Sequence, residues 1–467
     1  MAQAIGPYDG RKARKKRCDR CVERRIKCVG GCPCLNCTKT NRACHTTTAR
    51  KTTGPIFVHA TQASFPHRGR SHVTETVVDL PAQTSPVSSD FYVTYFFTSF
   101  LYQNSFTGIT PQIGTALSSL LHYSPELHDA INAISALHMT RNGYLNSIQD
   151  DKLAALKAYS RSVQRVQGRI VSKSFVCDPS SLWTTLLLGI FELMRDHTGA
   201  NWLAHFLNGT STLLQLQGPG LLETQDKENE HRQAFFFSTR IFEISRALIY
   251  TEPTFLATPK WSTAIEAYWI QRPGAWTSKE ALFNILPQFV DLAIRNLEFV
   301  ISAEDMLWQE QNQCATSLAQ EGLVLQSALL QWQLDSLLST PPDIQENRTD
   351  AETLLAQLYY HTISIYLDGI FSYQVPFTAT SAPVSPVLDR ITVDNHVDSI
   401  LSLSQGLLAQ GTAGIFLFFP LRVAGARARN SWTQAEILRL LRIIVKRGFA
   451  VATSFVEDLN NLWVKWR

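Results

Sequence analysis

The chain has 467 residues, 45% hydrophobic and 18% charged, with a formal net charge of +4. That balance is too apolar for a disordered protein, and no apolar run reaches the ~18 residues of a membrane-spanning helix. The modest charge averages two unlike parts: residues 1–50 hold thirteen Lys or Arg against three acids, and the remainder is net acidic. A compact cationic segment on a mildly acidic body is the electrostatic footprint of a nucleic-acid binder.

Residues 1–17 form a basic arm whose core, RKARKKR at 11–17, has six basic residues in seven. No apolar stretch follows it, which argues against a secretory leader and a disulfide framework. Such a run reads as a nuclear import signal with incidental contacts to a nucleic-acid backbone.

Six cysteines then repeat one pattern. Cys18-x2-Cys21-x6-Cys28 is followed five residues later by Cys34-x2-Cys37-x6-Cys44. Thiolates are soft ligands suited to tetrahedral zinc, and a C-x2-C pair turns two sulfurs toward one ion. Each half offers three sulfurs where a closed site needs four. Sharing Cys18 and Cys34 between two zinc ions supplies all eight positions. Cys32 is set aside, because using it in place of Cys34 would destroy the pair with Cys37.

Residues 18–44, CDRCVERRIKCVGGCPCLNCTKTNRAC, resemble the fungal-type Zn2Cys6 binuclear cluster, a DNA-binding module that sets a helix on the major groove. The resemblance implies a zinc-cluster DNA-binding domain at 18–45, with double-stranded DNA as partner and a CGG-like triplet as target. It also implies that Arg24 and Arg25 present the base-reading pair, for which the arginine fork suits guanine O6 and N7. Arg20, Lys27 and Lys39 are expected at phosphates, where they position without reading sequence.

Residues 46–89 are rich in Ser and Thr and broken by Pro55, Pro66, Pro81 and Pro86, so a disordered linker is expected. No three consecutive heptads occur there, so no coiled coil follows the cysteines. The protein then binds as a monomer, or as a homodimer formed through its larger domain.

From residue 90 to 467 the composition is that of a large all-α domain. Ala130, Ile131, Ile134, Leu137 and His138 form one helical stripe; Leu153, Leu156, Tyr159, Val163 and Val166 form another. Leu323, Leu325, Leu329, Leu330, Trp332, Leu334, Leu337 and Leu338 crowd a long helix ending near Pro341, and a last pattern runs from Trp432. Trp183, Trp202, Trp308 and Trp332 are expected in the core, and Cys177 and Cys314 as buried thiols. His197 and His205 flank Trp202 near Glu192 and Asp196, and are read as packing residues; no nucleophile elbow, Walker loop or dinucleotide fingerprint is present.

AINAISALHMTRNG at 130–143, LWTTLLLGIFELMRDHTGANWLAHFLNGTSTLLQLQGP at 182–219 and FLFFPLRVAGARARN at 416–430 are similar to the fungal-specific transcription factor domain. The expected fold is thus a small binuclear zinc module joined by the linker to an all-α regulatory domain. The expected function is nuclear, non-enzymatic, sequence-specific regulation of RNA polymerase II transcription, with transcriptional coregulators as protein partners, no membrane, and a metabolic or secondary-metabolite gene cluster as target. As an alternative, the resemblance implies a ligand-responsive regulator whose helical domain holds a sterol or another apolar metabolite.

Overall fold

In the computed structural model the described residues are 34–40, 44, 89–106, 117–141, 148–198, 208–223, 227–272, 277–338 and 350–465. The expected basic arm and the linker up to residue 88 lie outside them. Contacts divide the chain into two units, one within 12–86 and one holding 87–467. Among the described residues, all regular structure is helical apart from one isolated parallel bridge between Ser105 and Thr412.

In the smaller unit the described helix is α1 (Leu35–Lys39). The larger unit begins with α2 (Ser89–Tyr95), which passes through a π-helical turn (Phe96–Phe100) into α3 (Leu101–Gln103). The turn stacks the buried rings of Phe96 and Phe100, with centroids 5.3 Å apart.

Next comes α4 (Pro125–Arg141), a helix buried on all sides from Ala130 to Thr140. Pro125 suits its first position, where no intrahelical N–H is needed, and Ser124 Oγ accepts from Leu127 N at 3.2 Å. Its neighbours are α2, α5 (Ile148–Val171) and α6 (Ser181–Arg195). Helix α5 turns Ala155, Ala158, Ser162 and Val166 inward, whereas Leu153 and Leu156 of the expected stripe are exposed. Two buried carboxylates on α4 explain that rotation. Asp129 pairs with Arg161 and Arg165, and Glu126 pairs with Arg169, so three arginines four residues apart fix the face of α5 that meets α4. Small residues between them allow close approach.

The chain continues through α7 (Asn208–Gln217), α8 (Lys227–Tyr250), α9 (Pro259–Gln271), α10 (Ser278–Ser302) and α11 (Trp308–Leu338). The remaining helices are α12 (Ala351–Phe371), α13 (Val375–Thr378), α14 (Arg390–Ala409), α15 (Phe418–Gly425), α16 (Ser431–Lys446) and α17 (Ala452–Val464). Starts are written in capping residues: Thr277, Asp350, Asp389 and Asn430 each accept the backbone N–H three residues on.

Helix α12 is the apolar centre of this half, packed by α10, α11, α14 and α15. The buried Tyr359 hydroxyl lies 2.9 Å from Ser245 Oγ and donates to the Phe416 carbonyl at 3.2 Å, so its polar end is satisfied. A buried charge group ties α8 to α10: Arg240 donates to Glu280 Oε2 at 2.5 Å and to Asn284 Oδ1 at 2.7 Å, and Lys279 Nζ lies 3.0 Å from Glu280 Oε1.

Chain ends of α3 and α14 are clamped together. Ser105 N donates to the Gly411 carbonyl, and Ala413 N donates to Ser105 O, each at 2.8 Å. Gly411 has φ +84°, and a Cβ there would lie 2.5 Å from the Tyr102 carbonyl oxygen, so only glycine fits. Arg447 donates to the carbonyls of Gln103 (3.2 Å), Thr412 (3.3 Å) and Leu408, serving acceptors left over where α3 and α14 end.

Three expectations about burial are corrected. Of the eight apolar residues counted on α11, Leu325, Leu329 and Trp332 are buried, but Leu330, Leu334, Leu337 and Leu338 are exposed. Trp183 is buried, while Trp308 begins α11 on the surface; Trp202 lies outside the described residues. Cys177 is exposed and Cys314 half-buried, so neither is a deeply buried thiol.

Candidate metal centre

Cys34 stands immediately before α1 in an extended conformation, φ −77° and ψ 153°. Its carbonyl accepts from Thr38 N at 3.0 Å and from Thr38 Oγ1 at 3.1 Å. One helical turn then carries Cys37 back beside Cys34, as C-x2-C spacing requires. Thr40 Oγ1 donates to the Cys37 carbonyl at 3.3 Å, closing the helix end. Cys44 returns to the same point, and the Cys34 backbone N–H donates to its Sγ at 3.3 Å.

The three sulfurs all lie within 4.8 Å of one another, with Cys34 and Cys37 buried and Cys44 half-buried. Zinc–sulfur bonds of about 2.3 Å place adjacent sulfurs of a tetrahedron ~3.8 Å apart, so this spacing suits one ion. An amide N–H aimed at sulfur favours the thiolate, the form that binds metal. Three cysteines close together can therefore hold zinc, with one tetrahedral position left for a fourth ligand.

Of the sequence-derived ligands, the structure brings together Cys34, Cys37 and Cys44. Cys18, Cys21 and Cys28 lie outside the described residues, as do Cys32 and the basic residues Arg20, Arg24, Arg25 and Lys27. Lys39 is exposed at the last position of α1, two residues after Cys37.

The model of the fungal specific transcription factor domain matches residues 89–463. The chain belongs to this family. No curated protein and no solved structure matches it. A transcription factor domain thus occupies most of the chain, and the cysteine centre precedes it. Among the described residues of the chain, no helix is long and apolar enough to cross a membrane.

Glu192 and Asp196 of this domain make local contacts. Glu192 accepts from Arg195 Nη2 at 3.0 Å, Asp196 Oδ1 accepts from Thr198 N at 2.9 Å, and His197 is exposed. His205 lies outside the described residues. His138 is fully buried; its Nδ1 lies 2.9 Å from the Tyr95 hydroxyl, and burial pushes its pKa down to about 4. Two further histidines, His361 on α12 and His396 on α14, set their Nδ1 atoms 2.8 Å apart. One of them must carry the proton between them, and burial pushes His361 down to about 4. Nothing in the sequence separation of 35 residues announces that pair.

A cavity of about 80 Å³ lies between α8, α9 and α10, lined by Arg240, Leu256, Ile265, Phe283 and Pro287 among others. Typical small-molecule sites enclose ~300 Å³ or more, so this space is too small to enclose a sterol.

Proposed function

We propose that the chain is a zinc-dependent, sequence-specific DNA-binding regulator of RNA polymerase II transcription. The observation that carries this reading is the convergence of the Cys34, Cys37 and Cys44 sulfurs ahead of a fungal transcription factor domain. In this proposal the centre is binuclear, with Cys18, Cys21 and Cys28 completing it and Cys18 and Cys34 bridging two zinc ions. Zinc supplies folding free energy to a segment too small to fold by apolar burial alone.

Arg24 and Arg25 then read a CGG-like element in the major groove, and Arg20, Lys27 and Lys39 neutralise phosphates. The exposure of Lys39 beside the sulfur cluster supports the phosphate role. The regulator acts in the nucleus by occupying DNA and recruiting coregulators through its helical domain, and a metabolic or secondary-metabolite gene cluster is the proposed target. The mechanism involves no covalent chemistry.

Fluorescence anisotropy with CGG-containing and scrambled duplexes tests the assignment. Arg25→Ala should abolish most discrimination, a loss of ~1–3 kcal/mol for one bidentate guanine contact. Lys39→Ala should weaken both duplexes alike and flatten the salt dependence by about one phosphate contact. Unchanged discrimination in Arg25→Ala refutes the base-reading assignment.

A further inference from the structure

Helix α11 is 31 residues long and has two apolar faces. One face, with Leu318, Gly322, Leu325, Leu329 and Trp332, seats on α10 and α12. Gly322 allows that contact: a Cβ there would lie 2.7 Å from the Phe371 ring. On the outer side Val324 is 62% exposed, Leu330 51%, Leu334 56%, Leu337 61% and Leu338 85%.

These outer residues are ordered, not scattered. Leu330, Leu334 and Leu337 follow one another at four and three residues and Leu338 adjoins them, so these four share one side of the helix, with half-buried Leu323 and polar Ser327 continuing that line toward Gly322. From Gly322 to Leu338 the single charged residue is Asp335, which accepts from Gln331 Nε2 at 2.8 Å; the other polar side chains are neutral Gln and Ser.

We propose that this leucine stripe is the surface through which two copies of the chain associate. A two-fold interface sets one patch against itself, so a charged stripe would oppose like charges at its centre. This one is neutral there. The five outer aliphatics expose about 500 Å² of apolar surface, so two facing stripes, fully covered, remove at most roughly 1,000 Å² from water, the lower bound for a specific interface. That area fits a reversible dimer. Residues 339–349, which follow the stripe, hold one large aliphatic residue, Ile344, and match it poorly as a cover. A dimer would supply the pairing device that the proline-broken segment after Cys44 lacks. It would also carry two cysteine centres, and so address paired half-sites on DNA. The inference stands on exposure, spacing and charge, independently of whether the cysteines bind zinc or DNA.

Light scattering and sedimentation of the full chain from about 1 to about 50 µM test it. Wild type should pass from monomer to dimer across that range. L330K/L334K and L330E/L334E should each stay monomeric with helical content unchanged, and an equimolar mixture of the two should recover the dimer through opposite charges. Ile391→Lys, an equally exposed aliphatic site on α14, should leave dimerisation intact. Monomeric wild type overturns the proposal, including the case where slow labelling of Leu334→Cys shows the stripe covered by its own chain. So does a dimer that survives both double substitutions, or a mixture that stays monomeric when both variants are folded.

Discussion

His138 makes the stability of the helical domain depend on pH in a way that can be worked out from its surroundings. The ring is fully buried on α4, where the edge of Phe100 packs against it, and its Nδ1 faces the Tyr95 hydroxyl. Burial lowers its pKa from 6.5 to about 4; a hydrogen bond to the Arg447 backbone opposes that shift, and the nearby Arg141 charge reinforces it. A group whose folded pKa is depressed in this sense is protonated more readily in the unfolded chain. Its contribution is complete above pH 6.5 and is lost as pH falls toward 4. The full span corresponds to roughly 3 kcal/mol, of which about 2 kcal/mol is lost between pH 7 and pH 5. Urea titrations at those two pH values should therefore show wild type losing about 2 kcal/mol more than His138→Gln, which keeps a polar group but cannot titrate. His361 and His396 are present in both proteins and cancel in the difference. Equal losses in the two proteins refute the reasoning.

Two substitutions at the joint between α3 and α14 follow from its geometry. Arg447→Met removes the donors to the Gln103, Thr412 and Leu408 carbonyls and should cost about 2–3 kcal/mol, read as a lower urea midpoint with unchanged slope. Gly411→Ala forces a side chain into positive φ and against the Tyr102 carbonyl, and should cost at least ~2 kcal/mol in the same measurement.

The all-helical class was legible because apolar residues recur at threes and fours and strand alternation is scarce. The stripe on α4 was readable in outline, since Ala130, Ile131 and Ile134 are all buried, although the helix is in fact covered on every side. On α5 the expected stripe holds at Tyr159 and Val166, which pack on the core, and fails at Leu153 and Leu156, because the ion pairs to Glu126 and Asp129 on α4 fix the rotation. Ion pairing across 32 to 43 residues leaves no local pattern. On α11, leucines on both faces read as one core, because composition records apolar content and not which side a neighbour covers. For the metal centre, C-x2-C spacing was enough to place Cys34 and Cys37 together, and the return of Cys44 followed from the repeat. The amide directed at Cys44 Sγ and the facing His361 and His396 rings arise from tertiary placement, which no spacing encodes.

In the proposed centre, six cysteines in two repeated halves hold two metal ions by sharing two sulfurs. Metal analysis of the purified full chain, paired with its protein concentration, measures this directly. Two zinc ions per chain are expected, with Cys34→Ser losing both while Cys32→Ser retains both. A single zinc per chain, or zinc lost with Cys32 and kept without Cys34, would contradict it.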